Sequence, residues 1–471
     1  MAADSFKKGP RGLRRSSLPA AVVIALALAL LVRTWLVEGL FLAVVVPSGS
    51  MAPTLLGPHR TVTCTGCGWS FPWEGVGPAE TLVACPNCGW LGPHQISAVA
   101  AGDRLLLDKA VFRFRQPRRW EVAAFRHPHQ SAELVVKRVV GLPGESVRIA
   151  HGNVFINGEI QRKPLGRQRA VTQLVHDAAF RPPGASHQAA RWQADEGRSS
   201  WRLDAGCFRI RADSGEELDW VSYRHGRPLV GRPPQTDPSP VTDDSPVDPG
   251  RPRRREDRHA VTDLLLAFRV ARIAGAGVLA VRASDGREEF EVHFPFPGGG
   301  VQVFHDDRPV ALAEPAHQEA APLPAGGSLV EVSLFDRQLL VALDGRTLFS
   351  HPFAAEDAPP GTDRPFAIGA ARLAAEIEAV RIYRDIYYTR PIGLEGRWGV
   401  DEEFPLGDGE YFVLGDHSPF SADSRTWPQG PAVPESLLVG RPLIVHCPMR
   451  PVTWGGWRFQ VPDSTRIRYI R

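Results

Sequence analysis

The segment Pro47-Ser48-Gly49-Ser50-Met51-Ala52-Pro53-Thr54-Leu55 follows an apolar run, Phe41 to Val46, and can place a serine on a tight turn at the edge of a cleft. A serine hydroxyl becomes a nucleophile when a neighbouring group takes its proton. No Ser/His/Asp arrangement stands out among the 15 histidines. The candidate base is instead Lys137, within Glu133-Leu-Val-Val-Lys137-Arg138-Val-Val-Gly141. Alternation along a strand puts Leu134, Val136 and Arg138 on one face and Val135, Lys137 and Val139 on the other. Burying an ammonium is costly, so an apolar setting lowers the lysine pKa and leaves neutral amine near working pH. Of the chain's 55 basic residues only five are lysines: Lys7, Lys8, Lys109, Lys137 and Lys163. Arginine is the default cation here, and a guanidinium does not lose its proton at ordinary pH. An amine does.

A third segment, Tyr411-Phe-Val-Leu-Gly415-Asp416-His417-Ser418-Pro419-Phe420-Ser421-Ala422-Asp423-Ser424-Arg425, reads as a strand ending at Gly415-Asp416 and a polar turn presenting Ser421, Asp423 and Arg425. A fourth carries different chemistry. Cys64-Thr-Gly-Cys67-Gly68 and Cys85-Pro-Asn-Cys88-Gly89 are two CxxC pairs, each followed by glycine, the spacing of two knuckles of a zinc ribbon. A tetrahedral zinc held by Cys64, Cys67, Cys85 and Cys88 is the first choice, and two disulfides the alternative. Four thiolates leave no open coordination position, so the expected role is structural. Cys207 and Cys447 stand singly in apolar surroundings and read as packed core.

The serine, lysine and Gly-Asp segments, with Gly102-Asp103-Arg104-Leu-Leu-Leu-Asp108-Lys109 between the first two, resemble the boxes of bacterial signal peptidase I. These are Ser/Lys-dyad proteases that remove signal peptides from exported preproteins. The family's Pro-Ser-x-Ser-Met-x-Pro-Thr-Leu is matched by Pro47 to Leu55, and its Lys-Arg-x-x-Gly-x-Pro-Gly by Lys137 to Gly144. In the last box Gly415, Asp416, Ser421, Asp423, Ser424 and Arg425 fit, but His417 stands where asparagine is usual, and Ser418-Pro419-Phe420 is atypical. The resemblance implies Ser50 as nucleophile and Lys137 as neutral general base. It implies an oxyanion hole from the Ser50 N–H and the Ser48 hydroxyl, with Ser421 orienting the lysine and an Asp423–Arg425 ion pair shaping the turn. It also implies substrates with small residues at −1 and −3, and no cofactor for catalysis.

Those segments need a scaffold, and 45 Gly with 43 Pro favour short strands joined by turns over long helices. A hydrophobic content of 43% is enough for buried cores, and a net charge of +3 gives no reason to expect a nucleic-acid partner. Five basic residues between Lys7 and Arg15 precede an apolar run from Leu18 to Val37, about 30 Å of helix and enough to cross a bilayer core. The basic flank predicts a cytoplasmic N-terminus and an extracytoplasmic catalytic part in a single-pass protein of the cytoplasmic membrane, in contact with lipid. A cleaved signal peptide is the competing reading. It is disfavoured because Arg33, Trp35 and Glu38 follow the apolar run in place of a small-x-small site.

The expected fold class is mainly β, with this map: a basic tail over 1–17 and a transmembrane helix over 18–40; a peptidase core over 41–63, 91–165 and 395–471; a zinc ribbon over 64–90; and a β-sandwich inserted over 166–394. Val147 to Gly158 reads as a hairpin closed by Asn157-Gly158. Residues 232–258, rich in Pro, Asp and Arg, read as a flexible loop. Strands are expected at 261–270, 277–283, 290–294, 329–335, 338–346 and 375–383, with an Asp344-Gly345 hairpin, a pattern that looks like laminin-G or concanavalin-A-type lectin domains. A carbohydrate partner is the lesser expectation for this insertion and a scaffold shaping substrate access the greater, with peptide cleavage surviving its removal. The rival reading of the whole chain is a catalytically inactive, membrane-anchored protein that binds through the sandwich. Retention of both Ser50 and Lys137 argues against it. The related fold of self-cleaving transcription repressors is disfavoured by the anchor and by the lack of a DNA-binding segment.

Overall fold

The structure is a computed structural model and describes residues 18–74, 83–181, 190–194, 199–204, 206–211, 215–228, 236–248, 253, 257–310, 323–354, 359–393, 398–400, 402–446, 448–454 and 457–470. The basic tail, Cys447 and parts of the 232–258 segment lie outside these residues.

The architecture is mainly β. One sheet carries the serine and lysine segments, in the order Phe41–Val45, Arg104–Asp108, Leu438–Val445, Val122–His127, Gln130–Gly141, Glu410–Leu414 and Val433–Pro434. Its core packs Leu105, Leu107, Val122, Ala124 and Val445 around Met51 and Leu55, all buried. The predicted alternation holds: Lys137 pairs with Ala123 and is buried, in the strand Gln130–Gly141. A smaller sheet follows, and its hairpins differ from expectation. His151-Gly152 closes the first, pairing Ala150 with Asn153, while Asn157-Gly158 closes the next, pairing Ile156 with Glu159. Both turns use positive φ at both residues, which is why two Xaa-Gly pairs compete for one reading.

The expected span over 18–40 is helical but is not one α-helix. Leu18–Leu31 is α-helical, Val32–Val37 is π-helical and Glu38–Leu40 is a last short turn. Among the described residues no helix is long and apolar enough to cross a membrane. The change of winding includes Thr34, whose hydroxyl donates to the Leu30 carbonyl at 2.8 Å. Such a side chain competes for the helix's own acceptors. Side chains of the run remain exposed, Leu26 and Leu30 among them.

The large insertion is a β-sandwich whose layers share two very long strands, Leu264–Ser284 and Phe366–Arg384. The strands expected at 261–270 and 277–283 are thus one, interrupted by bulges between Ala267 and Arg269, Val270 and Arg272, and Gly275 and Val278. Residues 264–270 pair with Ser328–Phe335, and residues 277–284 with Glu289–Phe296. Bulges bend a strand without ending it, so each long strand serves both layers. One core joins them, with Phe268, Phe290, Val332, Val341 and Ile382 fully buried. The Asp344-Gly345 hairpin forms as expected.

The loop over 232–258 is not free where it is described. Thr236–Pro238 pairs with Gly226–Pro228, and Val247 is fully buried against Ala52 and Leu56 of the serine segment. Charge and proline content suggested flexibility, and the partners of Val247 lie in the distant serine segment.

Candidate active site

The serine turn is built by a short 3-10 turn, Gly49–Met51, in which the Ala52 N–H donates to the Gly49 carbonyl at 2.9 Å. Gly102 presses on the Val46 carbonyl and Gly415 on the Ser50 carbonyl, approaches that a side chain would block. The Asp103 carboxylate accepts the Leu56 N–H at 3.0 Å and Arg468 at 2.8 Å, fixing the far end of the same loop.

Lys137 enters from the neighbouring strand. Its Nζ lies 2.7 Å from Ser50 Oγ and 3.0 Å from Ser421 Oγ. Burial holds its pKa down to about 8, with Asp423 and Asp416 pulling it up and Arg425 pushing it down. Ser48 Oγ stands 3.4 Å from Ser50 Oγ. Asp423 and Arg425 form a fully buried two-pronged pair, at 2.9 Å from Nε and 2.7 Å from Nη2. Asp423 also accepts the Gly415 N–H at 2.9 Å, so this pair holds the strand end that backs Ser50. The residues singled out in the sequence, Ser48, Ser50, Lys137, Ser421, Asp423 and Arg425, therefore lie in one region.

Sequence reasoning gave no role to a second buried pair. Asp416 receives Arg138 Nε at 2.8 Å and Nη2 at 2.5 Å, and also the Thr54 hydroxyl. One carboxylate thus ties together the serine, lysine and Gly-Asp segments. Arg138, Asp416 and Thr54 stood within those segments, and a charge in each of two apolar strands was the available signal.

Ser50, Lys137, Glu133 and His417 line an open cleft of about 980 Å³, with Val44, Leu105, Leu134 and Val136 among its apolar walls. Glu74 lines it too. Its carboxylate packs on Gly49, where any side chain would collide with it. Burial raises the Glu74 pKa, opposed by His417 and assisted by Asp248. No motif announced Glu74, which reaches the cleft from the end of a strand of the cysteine segment.

That segment has its own small sheet, Arg60–Thr63 with Ser70–Trp73 and Gln95–Ile96. Its two knuckles are near copies: Gly68 N–H donates to the Cys64 carbonyl and Gly89 N–H to that of Cys85, both glycines at positive φ. The four sulfurs face one another without a disulfide, Cys64 to Cys88 and Cys67 to Cys85 at 3.8 Å. Thiolates 2.3 Å from a tetrahedral ion would sit about 3.8 Å apart, so the donor set fits zinc. Cys207 is buried in the sandwich, its thiol donating to Glu376 at 3.4 Å.

A family model, that of signal peptidase, peptidase S26, matches residues 95–199 and 393–447, the first stretch running into the sandwich strands Gln173–Asp177 and Trp192–Ala194. Over those two stretches the chain is similar to the signal peptidase S26 family. Most of the inserted sandwich separates the two matched stretches, and the serine segment lies ahead of the first. The chain is similar to a probable signal peptidase I-2 of Synechocystis, 38% identical over 64 residues, covering 12% of this chain and 29% of that one. It is also similar to a signal peptidase I of Pseudomonas aeruginosa, 28% identical over 150 residues, covering 30% of this chain and 52% of that one. The chain thus spans at most about half the length of these relatives. Among solved structures, a carbohydrate-binding module of Bacillus subtilis is 10% identical, covering 41% of this chain and 95% of that one, at a TM-score of 0.26. The Emp47p carbohydrate recognition domain is 12% identical, covering 48% and 99%, at 0.24.

Proposed function

We propose that this chain is a membrane-anchored serine endopeptidase that removes N-terminal signal peptides from exported preproteins. The observation that carries the reading is a fully buried Lys137 whose Nζ is 2.7 Å from Ser50 Oγ, with its pKa near 8. Only the neutral amine can accept a proton, and its fraction rises from about a tenth at pH 7 to about nine-tenths at pH 9.

In the proposed reaction, Lys137 takes the Ser50 hydroxyl proton as the oxygen attacks the scissile carbonyl. The Ser50 N–H and the Ser48 hydroxyl stabilise the resulting oxyanion, donors of a kind worth roughly 2.7–4 kcal/mol each. The protonated lysine then delivers its proton to the leaving amine, and an acyl-Ser50 ester remains. Lys137 next deprotonates a water that hydrolyses the ester, and the proton returns to Ser50. Ser421 keeps Nζ aimed throughout. The apolar walls beside Ser50 support a preference for small side chains at −1 and −3.

The apolar helical run of 18–40, in its three pieces and exposed over residues 22–34, serves as the anchor in this reading, with the basic tail cytoplasmic and the catalytic part extracytoplasmic. An apolar surface on every side of a helix suits lipid better than water. A zinc held by Cys64, Cys67, Cys85 and Cys88 would act as a structural staple of the ribbon. Incubating a preprotein with the wild-type chain and with Ser50→Ala tests the reading. Cleavage after a small residue by the first and not by the second is expected, and equal behaviour of the two would reject it.

A further inference from the structure

The sandwich does not merely hang from the peptidase domain; one of its loops reaches the serine. His417 Nε2 lies 2.7 Å from Asp248 Oδ1, with the two side chains only 4% and 14% exposed. The backbone N–H of His417 donates to the Ser50 carbonyl at 3.1 Å. Val247, next to Asp248, is fully buried against Ala52 and Leu56, on the other flank of the same turn. These contacts reach the serine turn from two sides.

The loop that supplies them is itself fastened. The Asp248 N–H donates to the Ser245 carbonyl at 3.0 Å, closing a tight turn. Arg384, at the end of a long sandwich strand, donates to the Asp243 and Asp244 carbonyls at 3.3 and 3.2 Å. Asp243 in turn accepts Arg253 at 2.8 Å and the His259 N–H at 2.9 Å. Hydrogen bonds and packing therefore run without a gap from the sandwich to Ser50.

We propose that Asp248 is a positioning residue of the peptidase site, contributed by the inserted region, which locks His417 and through it the Ser50 turn. This rests on the peptidase reading above. It also accounts for an oddity in the sequence. An asparagine amide is short and holds both donor and acceptor in one group, whereas a buried imidazole needs a partner for each ring nitrogen. His417 replaces the usual asparagine in a chain whose insertion brings a carboxylate to that ring. The histidine and the insertion are one device. On this view the sandwich cannot be removed without loss, contrary to the expectation from the sequence.

The test uses the full chain carrying Asp248→Asn, His417→Asn or both. Cleavage of a signal-peptide substrate is measured together with amide exchange over residues 48–56. Asp248→Asn is expected to lower kcat ten- to a hundredfold with KM changed less than about twofold, since Asp248 aligns the nucleophile and does not hold substrate. Exchange over 48–56 should quicken about tenfold. In the His417→Asn background, adding Asp248→Asn should change both readouts less than about twofold. Wild-type kcat and exchange in Asp248→Asn, or equal losses in both backgrounds, would overturn the proposal. If wild type and Ser50→Ala are equally inactive, the peptidase reading has failed. Unchanged exchange in Asp248→Asn would then still reject the clamp, and faster exchange suppressed by His417→Asn would uphold it.

Discussion

Lys137 and Lys163 are both buried, and they are held in opposite states. Around Lys137 the closest polar contacts are two serine hydroxyls, and burial brings its pKa down to about 8. Lys163 meets Asp336 at 2.6 Å and Asp385 at 2.8 Å, and its ammonium lies 4.6 Å from the Trp120 ring centroid. Burial opposes that charge as well, but Asp336, Asp385 and Asp263 outweigh it and hold the pKa well above the ordinary lysine value. Depth does not make a base. The distance to the nearest carboxylate decides whether a buried lysine is a proton acceptor or a permanent cation. The two buried carboxylates that act on Lys137, Asp416 and Asp423, are engaged with Arg138 and Arg425. At the seam between peptidase and sandwich, the carboxylates are given to Lys163.

The sharpest way to break this comparison is to give both sites arginine. Lys137→Arg should lose activity by about 10⁴-fold or more, the scale seen when one member of a nucleophile–base unit is removed. A charged guanidinium cannot take the Ser50 proton. Lys163→Arg should still cleave, with its pH profile unchanged, because that position asks only for a cation. Steady-state rates on one substrate decide it, and an active Lys137→Arg enzyme would mean that Lys137 is not the base.

The four cysteines extend the contrast to a third cluster, where the like charges of four thiolates would gather. A divalent ion is expected to play there the part Lys163 plays at the seam. Metal analysis should give one zinc per chain, and chelation should melt the ribbon, exposing residues 60–97 to protease. Cleavage should fall too, because Glu74 leaves the cleft wall. Asn87, between the second pair of cysteines, would also lose its bonds to the Asp177 N–H at 2.6 Å and the Phe180 carbonyl at 2.8 Å. Absence of metal, or a ribbon indifferent to chelation, would separate this cluster from the other two.

The seam itself is probed by Lys163→Met. Removing one member of a buried ionic cluster leaves the rest uncompensated and costs ~3–5 kcal/mol. The expected outcome is a Tm lower by several degrees, with the rate per folded molecule and its dependence on pH retained. A shifted pH profile would mean that the two lysines are not independent.

How far each region was legible follows from how local its signal is. The serine, lysine and Gly-Asp segments each carry their residues within about ten positions, and the structure brings those residues together. Alternation alone buried Lys137, and CxxC spacing alone assembled four sulfurs. Asp248 and Val247 were illegible because their partners, His417 and Ala52, lie in distant segments, and because proline and aspartate resemble a free loop until something packs on them. Lys163 was noticed only as one of five lysines, since Asp336, in a turn, and Asp385, just past a strand end, lie far along the chain. The anchor was read from hydropathy, which does not register that the Thr34 hydroxyl competes for the Leu30 carbonyl and that the winding changes nearby.

The smallest expected effect sharpens the account of Lys137. Among the charges acting on it, after burial, are Asp423, Arg425, Asp416 and Glu133, and of these Glu133 alone is exposed. Glu133 lies on the same strand and lines the cleft, and its negative charge favours the ammonium. Glu133→Gln removes that charge without opening a buried pair, so the fold should be untouched. The sign follows: with less negative charge nearby, the lysine loses its proton more easily. The rising limb of the pH–rate profile, set near pH 8 in the wild type, should move to lower pH, and activity at pH 7 should rise by less than about threefold. The field of an exposed group is screened within about 10 Å at 0.1 M salt, so the difference should shrink as ionic strength rises, while the limb itself persists. A limb that moves upward, or a shift indifferent to salt, would mean that some contact other than the charge of Glu133 controls the amine.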